Sequence, residues 1–152
     1  MTKKTGIWFY GLSGTGKTYG SNLLHKKIKN SILIDGDIVR KYVSYDLDYT
    51  ENDRNIQITR MYGLAKIAIN SNIFPIISTV WMNNKMLKKA SNLGIKVILI
   101  KSEMNEVKKD HNTYKNKKNV VGVNFDYEKK LNTLIITNTK DKEFWNLLKT
   151  LI

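Results

Sequence analysis

Cysteine is absent from the 152-residue chain, and proline occurs once, at Pro75. The lack of cysteine excludes disulfides, thiolate metal sites and cysteine nucleophiles, and it fits a cytoplasmic chain. Acidic residues are scarce beside basic ones: 13 Asp and Glu face 26 Lys and Arg, a formal net charge of +13. No apolar run approaches the roughly 20 residues that span a bilayer, so no membrane segment is expected. The opening "MTKKTG" leads straight into a strand-like run without the apolar core of a secretory leader, and no leader is expected either. Of the two histidines, His25 lies in a Lys-rich stretch with no partner at metal-ligand spacing, which predicts a surface position and no zinc site. His111 opens a polar basic segment and is read as a surface residue too.

What remains is the composition of a globular protein, 41% hydrophobic and 26% charged, and the length predicts one domain over residues 1–152. The positive charge fits either a nucleic-acid binder or an enzyme with several phosphates to hold. Its lysines cluster briefly at "HKKIK", "LKKA" and "YKNKK" and nowhere interleave densely with aromatics. Most are therefore read as a solvated surface, and nucleic acid is not the expected partner.

Five β-branched-rich runs recur, at 6–11, 31–35, 73–79, 95–100 and 133–137. They are apolar almost without alternation, the pattern of strands buried on both faces. Helical periodicity fills the gaps at 17–29 and 51–71, with shorter helices expected at 83–92, 103–109 and 141–151. In the long helix Ile58, Met61, Leu64, Ala65, Ala68 and Ile69 share a face. Strand and helix in alternation predict an α/β fold, a doubly wound five-stranded parallel sheet with helices on both faces. The polar stretch 110–130 interrupts the pattern and is a candidate lid or substrate loop.

Directly after the first strand stands "GLSGTGKT", Gly11, Leu12, Ser13, Gly14, Thr15, Gly16, Lys17 and Thr18, which matches G-x-x-x-x-G-K-S/T throughout. The glycines permit a path that turns successive N–H groups around an anion, and the following helix adds its positive end. Lys17 is placed to reach the β- and γ-phosphates, and the Thr18 hydroxyl to ligate Mg²⁺. ATP and Mg²⁺ are the expected cofactors.

Strand two ends in "LIDGDIVR". Ligands of open α/β sheets bind beyond the carboxyl ends of strands, so Asp35 and Asp37 should face the phosphate loop. One carboxylate would sit near Mg²⁺ or its water, Asp35 by our reading, and one at the acceptor hydroxyl. Which of them is the base stays open, and both are candidate catalytic groups together with Lys17. Arg40, a helical turn past Asp37, would reach an anionic group on the acceptor.

These stretches, with "YDLDYTENDR" and "YGLAKIA", resemble in order and spacing the adenylylsulfate (APS) kinase family. Its patterns run W-x-T-G-L-S-G-A/S-G-K-S/T, L-D-G-D-x-V/I-R and D-L-G-F-S/T-x-x-D-R, then a helix with N-I-R-R. The resemblance implies a P-loop NTPase-type kinase that uses MgATP to phosphorylate the ribose 3′-hydroxyl of a 5′-modified nucleotide. It implies that Asp37 and Arg40 contact the acceptor, that Arg54 binds its 5′ anionic groups and that Tyr49 stacks on its base. Gln57 stands where the family has asparagine, and Ser78, Val80, Trp81 and Lys115 complete the implied acceptor set. Family members often dimerise, which leaves a homodimer open.

The departures concentrate in the base pocket. After strand three the family's S-F-I-S-P-Y-R is "STVWMNN", and the second stacking phenylalanine corresponds to Val120. Loss of one aromatic wall forfeits about 1–3 kcal/mol of stacking. The triphosphate site and anion clamp are kept while the base pocket is not, the pattern expected of a divergent member such as the cytidine diphosphoramidate kinases of capsule biosynthesis. A smaller base, with Trp81 rebuilding one wall, would suit it.

Overall fold

The computed structural model describes residues 5–102, 121, 133–139 and 142–151. The chain runs β1 (Gly6–Tyr10), α1 (Lys17–Lys27), β2 (Ser31–Asp35), α2 (Gly36–Tyr42), α3 (Glu51–Asn70), β3 (Phe74–Thr79), α4 (Asn84–Asn92) and β4 (Ile95–Lys101). After these come β5 (Leu134–Thr137) and α5 (Lys142–Lys149). All four pairings are parallel, in the order β2-β3-β1-β4-β5, as the alternation of strand and helix predicts.

The central strand β1 shows how the sheet is covered. Ile7 and Phe9 point to one face, against Leu24 of α1 and Phe144 and Leu148 of α5. Trp8 and Tyr10 point to the other, against Ile58, Met61 and Ala65 of α3 and Met86 and Ala90 of α4. A strand in such a sheet has no solvent face, which is why β1, β3 and β4 read as unbroken apolar runs. The edge strands depart from that expectation. Ile32 of β2 and Leu134 and Ile135 of β5 are exposed, because an edge is covered on fewer sides.

Pro75 is accommodated by position. The β1–β3 register begins at Ile7 and Ile76, so Pro75 sits beyond the paired stretch, where no ladder N–H is owed to β1. A Cβ on Gly6 would lie 2.8 Å from the Pro75 ring, so the glycine makes the room the ring occupies.

Helix α3 opens on Thr50, whose hydroxyl accepts from the Asp53 N–H at 3.2 Å and caps the first turn. Its buried residues include Ile58, Met61, Ala65 and Ala68, with Leu64 and Ile69 half-buried beside them, as their spacing predicts. Helix α2 is not among the helices expected from periodicity, since its seven residues are too few for it to show. The expected helix at 103–109 and the candidate lid at 110–130, including His111, Lys115 and Val120, lie outside the described residues, apart from Val121 in the core. No helix among the described residues is long and apolar enough to cross a membrane.

Leu24 is fully buried and Ile67 mostly exposed. Leu24→Ala is expected to cost about 2–5 kcal/mol in urea denaturation, against about 0.5 kcal/mol or less for Ile67→Ala. Equal losses would contradict the packing described.

Candidate active site

The carboxyl ends of β1, β2 and β3 converge, and each delivers part of the site. From β1 the chain passes through Gly11, Gly14 and Gly16, with φ of 144°, 83° and 94°. At Gly11 the need is steric as well, since a Cβ would stand 2.2 Å from the Ile100 carbonyl oxygen of β4. Gly16 leads into α1, whose first turn carries no acidic residue and whose N-terminus has no side-chain cap. Its positive end is thus left for an anion. Gly14, Gly16, Lys17, Thr18 and Tyr19 line a cavity of about 300 Å³.

Lys17 is buried beneath this loop, and its Nζ donates to the Leu12 carbonyl at 2.6 Å. The Thr15 hydroxyl donates to the same oxygen at 2.9 Å, closing the loop on itself. Burial lowers the Lys17 pKa from 10.5 to about 8, against the opposing pull of Asp37 and then Asp35. An anion in the cavity would restore the favour to the charged amine.

Strand β2 delivers Asp35, and its carboxylate is fully engaged. Oδ1 accepts from the N–H groups of Asp37 at 3.0 Å and Ile38 at 3.4 Å, capping α2. Oδ2 accepts from the Ser78 hydroxyl of β3 at 2.7 Å and from the Thr18 hydroxyl of α1 at 3.3 Å. The sequence left open which aspartate meets the acceptor. Asp35 is bonded to the α2 cap, to Ser78 and to Thr18, while Asp37 is exposed on the first turn of α2 with its charge felt at Lys17. Thr18 and Asp35 form the hard-oxygen set that suits Mg²⁺ held partly by water and phosphate. Among the described residues no cluster of three or more His, Asp or Glu forms a dedicated metal cage.

On the other side of α2, Arg40 donates to the carbonyls of Asp48 at 2.8 Å and Leu47 at 3.3 Å, and its guanidinium lies 4.4 Å from the centre of the Tyr49 ring. Arg54, buried on α3, donates from Nε to the Tyr49 carbonyl at 3.2 Å, and its guanidinium lies 5.6 Å from the same ring. Burial, and then the nearby Arg40, disfavour the Arg54 charge. The loop bearing Tyr49 is tied to α3 by a two-pronged pair between Arg60 and Asp46, with N···O distances of 2.5 and 2.8 Å. That pair holds the Asp46 carboxyl well below the usual carboxylate range. Gln57 donates to the Gly36 carbonyl at 3.0 Å, and its Oε1 is buried without a partner.

Arg40, Tyr49 and Arg54 are thus brought together between α2 and α3, and Gln57 ties α3 to the first residue of α2. Trp81 is not an open wall. It is 5% exposed in the core between α3 and α4, and its indole N–H donates to Asn55 Oδ1 at 2.8 Å. A side chain this large and flat fills the interhelical space, and its one polar atom finds a partner there. Val80 packs against the same cluster, and Ser78 faces Asp35. His25 is exposed and pairs with the Ser31 hydroxyl, as a surface residue should. No local pattern points to Asn55, which also accepts from Asn83, or to Asn138, whose Nδ2 donates to the Thr15 carbonyl.

A parallel sheet in this order, with a phosphate loop after β1 and a paired-carboxylate turn after β2, defines a P-loop kinase. The adenylylsulphate kinase family model matches residues 3–137, and the chain belongs to that family. It is 37% identical over 78 residues to the bifunctional enzyme NodQ of Rhizobium meliloti, covering 49% of this chain and 12% of that one. It is 33% identical over 91 residues to an adenylyl-sulfate kinase of Bacteroides thetaiotaomicron, covering 57% and 45%. The match therefore spans less than half of either relative. In fold it resembles the APS kinase CysC of Mycobacterium tuberculosis, solved with AMPPNP and APS, at a TM-score of 0.80 and 19% identity over 98% of this chain and 95% of that one.

The depressed Lys17 pKa has a definite sign. Between about pH 8 and 10.5 the unfolded chain holds a proton that the folded chain has lost, so stability attributable to Lys17 rises with pH there. Below that window the full penalty for a buried charge applies. Lys17→Met should raise the melting temperature of the nucleotide-free chain at neutral pH, and its advantage over wild type should shrink as pH rises through the window. Parallel melting profiles would contradict the assignment.

Proposed function

We propose that this chain is an ATP-dependent kinase that transfers the γ-phosphoryl group to the ribose 3′-hydroxyl of a 5′-modified nucleotide. The observation that carries this reading is the division between two aspartates one residue apart. Asp35 is held by four donors, whereas the Asp37 carboxylate is exposed on the first turn of α2 with its charge felt at Lys17. A triphosphate-binding protein without an acceptor has no need of the second arrangement.

In this reading the loop amides and Lys17 hold the transferring group, and positioning plus charge stabilisation do most of the work. The Thr18 and Asp35 side would hold Mg²⁺, which would supply neutralisation of phosphate charge. Asp37 orients the 3′-hydroxyl and takes its proton as the new P–O bond forms and the bond to the departing ADP oxygen breaks. Arg40 and Arg54 receive the 5′ anionic group, and relief of their mutual disfavour adds to that binding. Tyr49 offers an aromatic face that already carries a guanidinium.

The acceptor is APS or cytidine diphosphoramidate. Burial of Trp81 withdraws the wall that the sequence offered to a small base, so the pocket favours neither by that residue. Assayed with MgATP and each acceptor in parallel, the chain should yield ADP and a 3′-phosphorylated product with one of them. Product from neither would overturn the reading. Arg54→Ala should raise the acceptor KM about tenfold or more while the ATP KM moves less than about twofold. An equal effect on both would remove Arg54 from the acceptor side.

A further inference from the structure

The phosphate loop is held from behind by a residue 123 positions later in the chain. We infer that Asn138 is a positioning residue for the donor site, acting through one peptide plane. Asn138 follows directly on β5 and is itself buried, and its own N–H is fixed by the Lys101 carbonyl at 2.6 Å. From that anchored place its Nδ2 donates to the Thr15 carbonyl at 2.8 Å.

A loop that turns its N–H groups inward must turn carbonyls outward. In most such loops water satisfies those carbonyls, but this one lies where an unpaired oxygen would cost its full desolvation. The peptide between Thr15 and Gly16 is planar and trans, so holding its C=O toward Asn138 sends the Gly16 N–H the opposite way. Gly16 lines the phosphate cavity, and this N–H is the group the plane presents to it. The contact is too close for any other residue at Gly16, since a Cβ there would lie 2.7 Å from Asn138 Nδ2. Asn138 thus sets the aim of a phosphate-binding amide without touching phosphate.

This inference rests on the donor half of the function proposed above, and the experiment separates the two. MgADP is titrated into the full ¹⁵N-labelled chain, wild type, Asn138→Asp and Asn138→Leu, by calorimetry and by amide NMR, with melting temperatures recorded without nucleotide. Asp keeps the size and replaces the donor by an acceptor; Leu keeps the bulk and removes both. Wild type should bind with a large shift of the Gly16 amide. Each variant should bind about tenfold or more weakly, with that shift reduced, even where its melting temperature is near wild type. Wild-type affinity and an unchanged Gly16 shift in the Asp variant would overturn the inference while leaving the donor site intact. Variants that melt lower yet shift Gly16 as wild type does would show a merely structural asparagine and overturn it as well. Failure of the wild-type chain to bind MgADP would overturn the donor site and this inference together.

Discussion

The carboxylate of Asp35 is the interaction on which the rest of the site depends. Through two oxygens it joins the end of β2 to the start of α2, to Ser78 on β3 and to Thr18 on α1. Four elements meet at this one side chain. A carboxylate held by this many donors stays put, because moving it would break several bonds at once. Its fixity is also its limitation: a group that caps one helix and binds two hydroxyls is not free to follow a substrate proton. The neighbouring turn therefore places a second carboxylate, and the short helix α2 carries both Asp37 and Arg40 away from the strand on one rigid piece.

Charge in this chain is concentrated for use. Lys17 is kept buried at a cost that only an anion repays, and Arg54 is kept buried beside another arginine. Two such buried cations suit a donor and an acceptor that are both anionic. The remaining lysines among the described residues are for the most part exposed, as a solvated surface requires.

Much of this was legible beforehand, and the exceptions have physical causes. The three interior strands announced themselves because burial on both faces leaves few polar positions, and the phosphate loop because its glycines and lysine are constrained by backbone and phosphate. Helix α2 escaped notice because seven residues with Val39 as the buried one leave no periodic trace. Trp81 misled because an aromatic beside a binding cleft and an aromatic in the adjoining core have the same spacing; only its partner Asn55, 26 residues away, tells them apart. Asn138 was invisible for the same reason. Its importance comes from a carbonyl it meets across the fold, and no local pattern encodes that meeting.

The central claim is that Asp37 serves the chemistry while Asp35 serves the architecture. A single-turnover rapid-quench measurement on Asp37→Asn, with ATP and acceptor both bound, tests it most directly. The account predicts a phosphoryl-transfer rate lower by about 10²–10⁴-fold with nucleotide affinity retained. A rate within about threefold of wild type would contradict it.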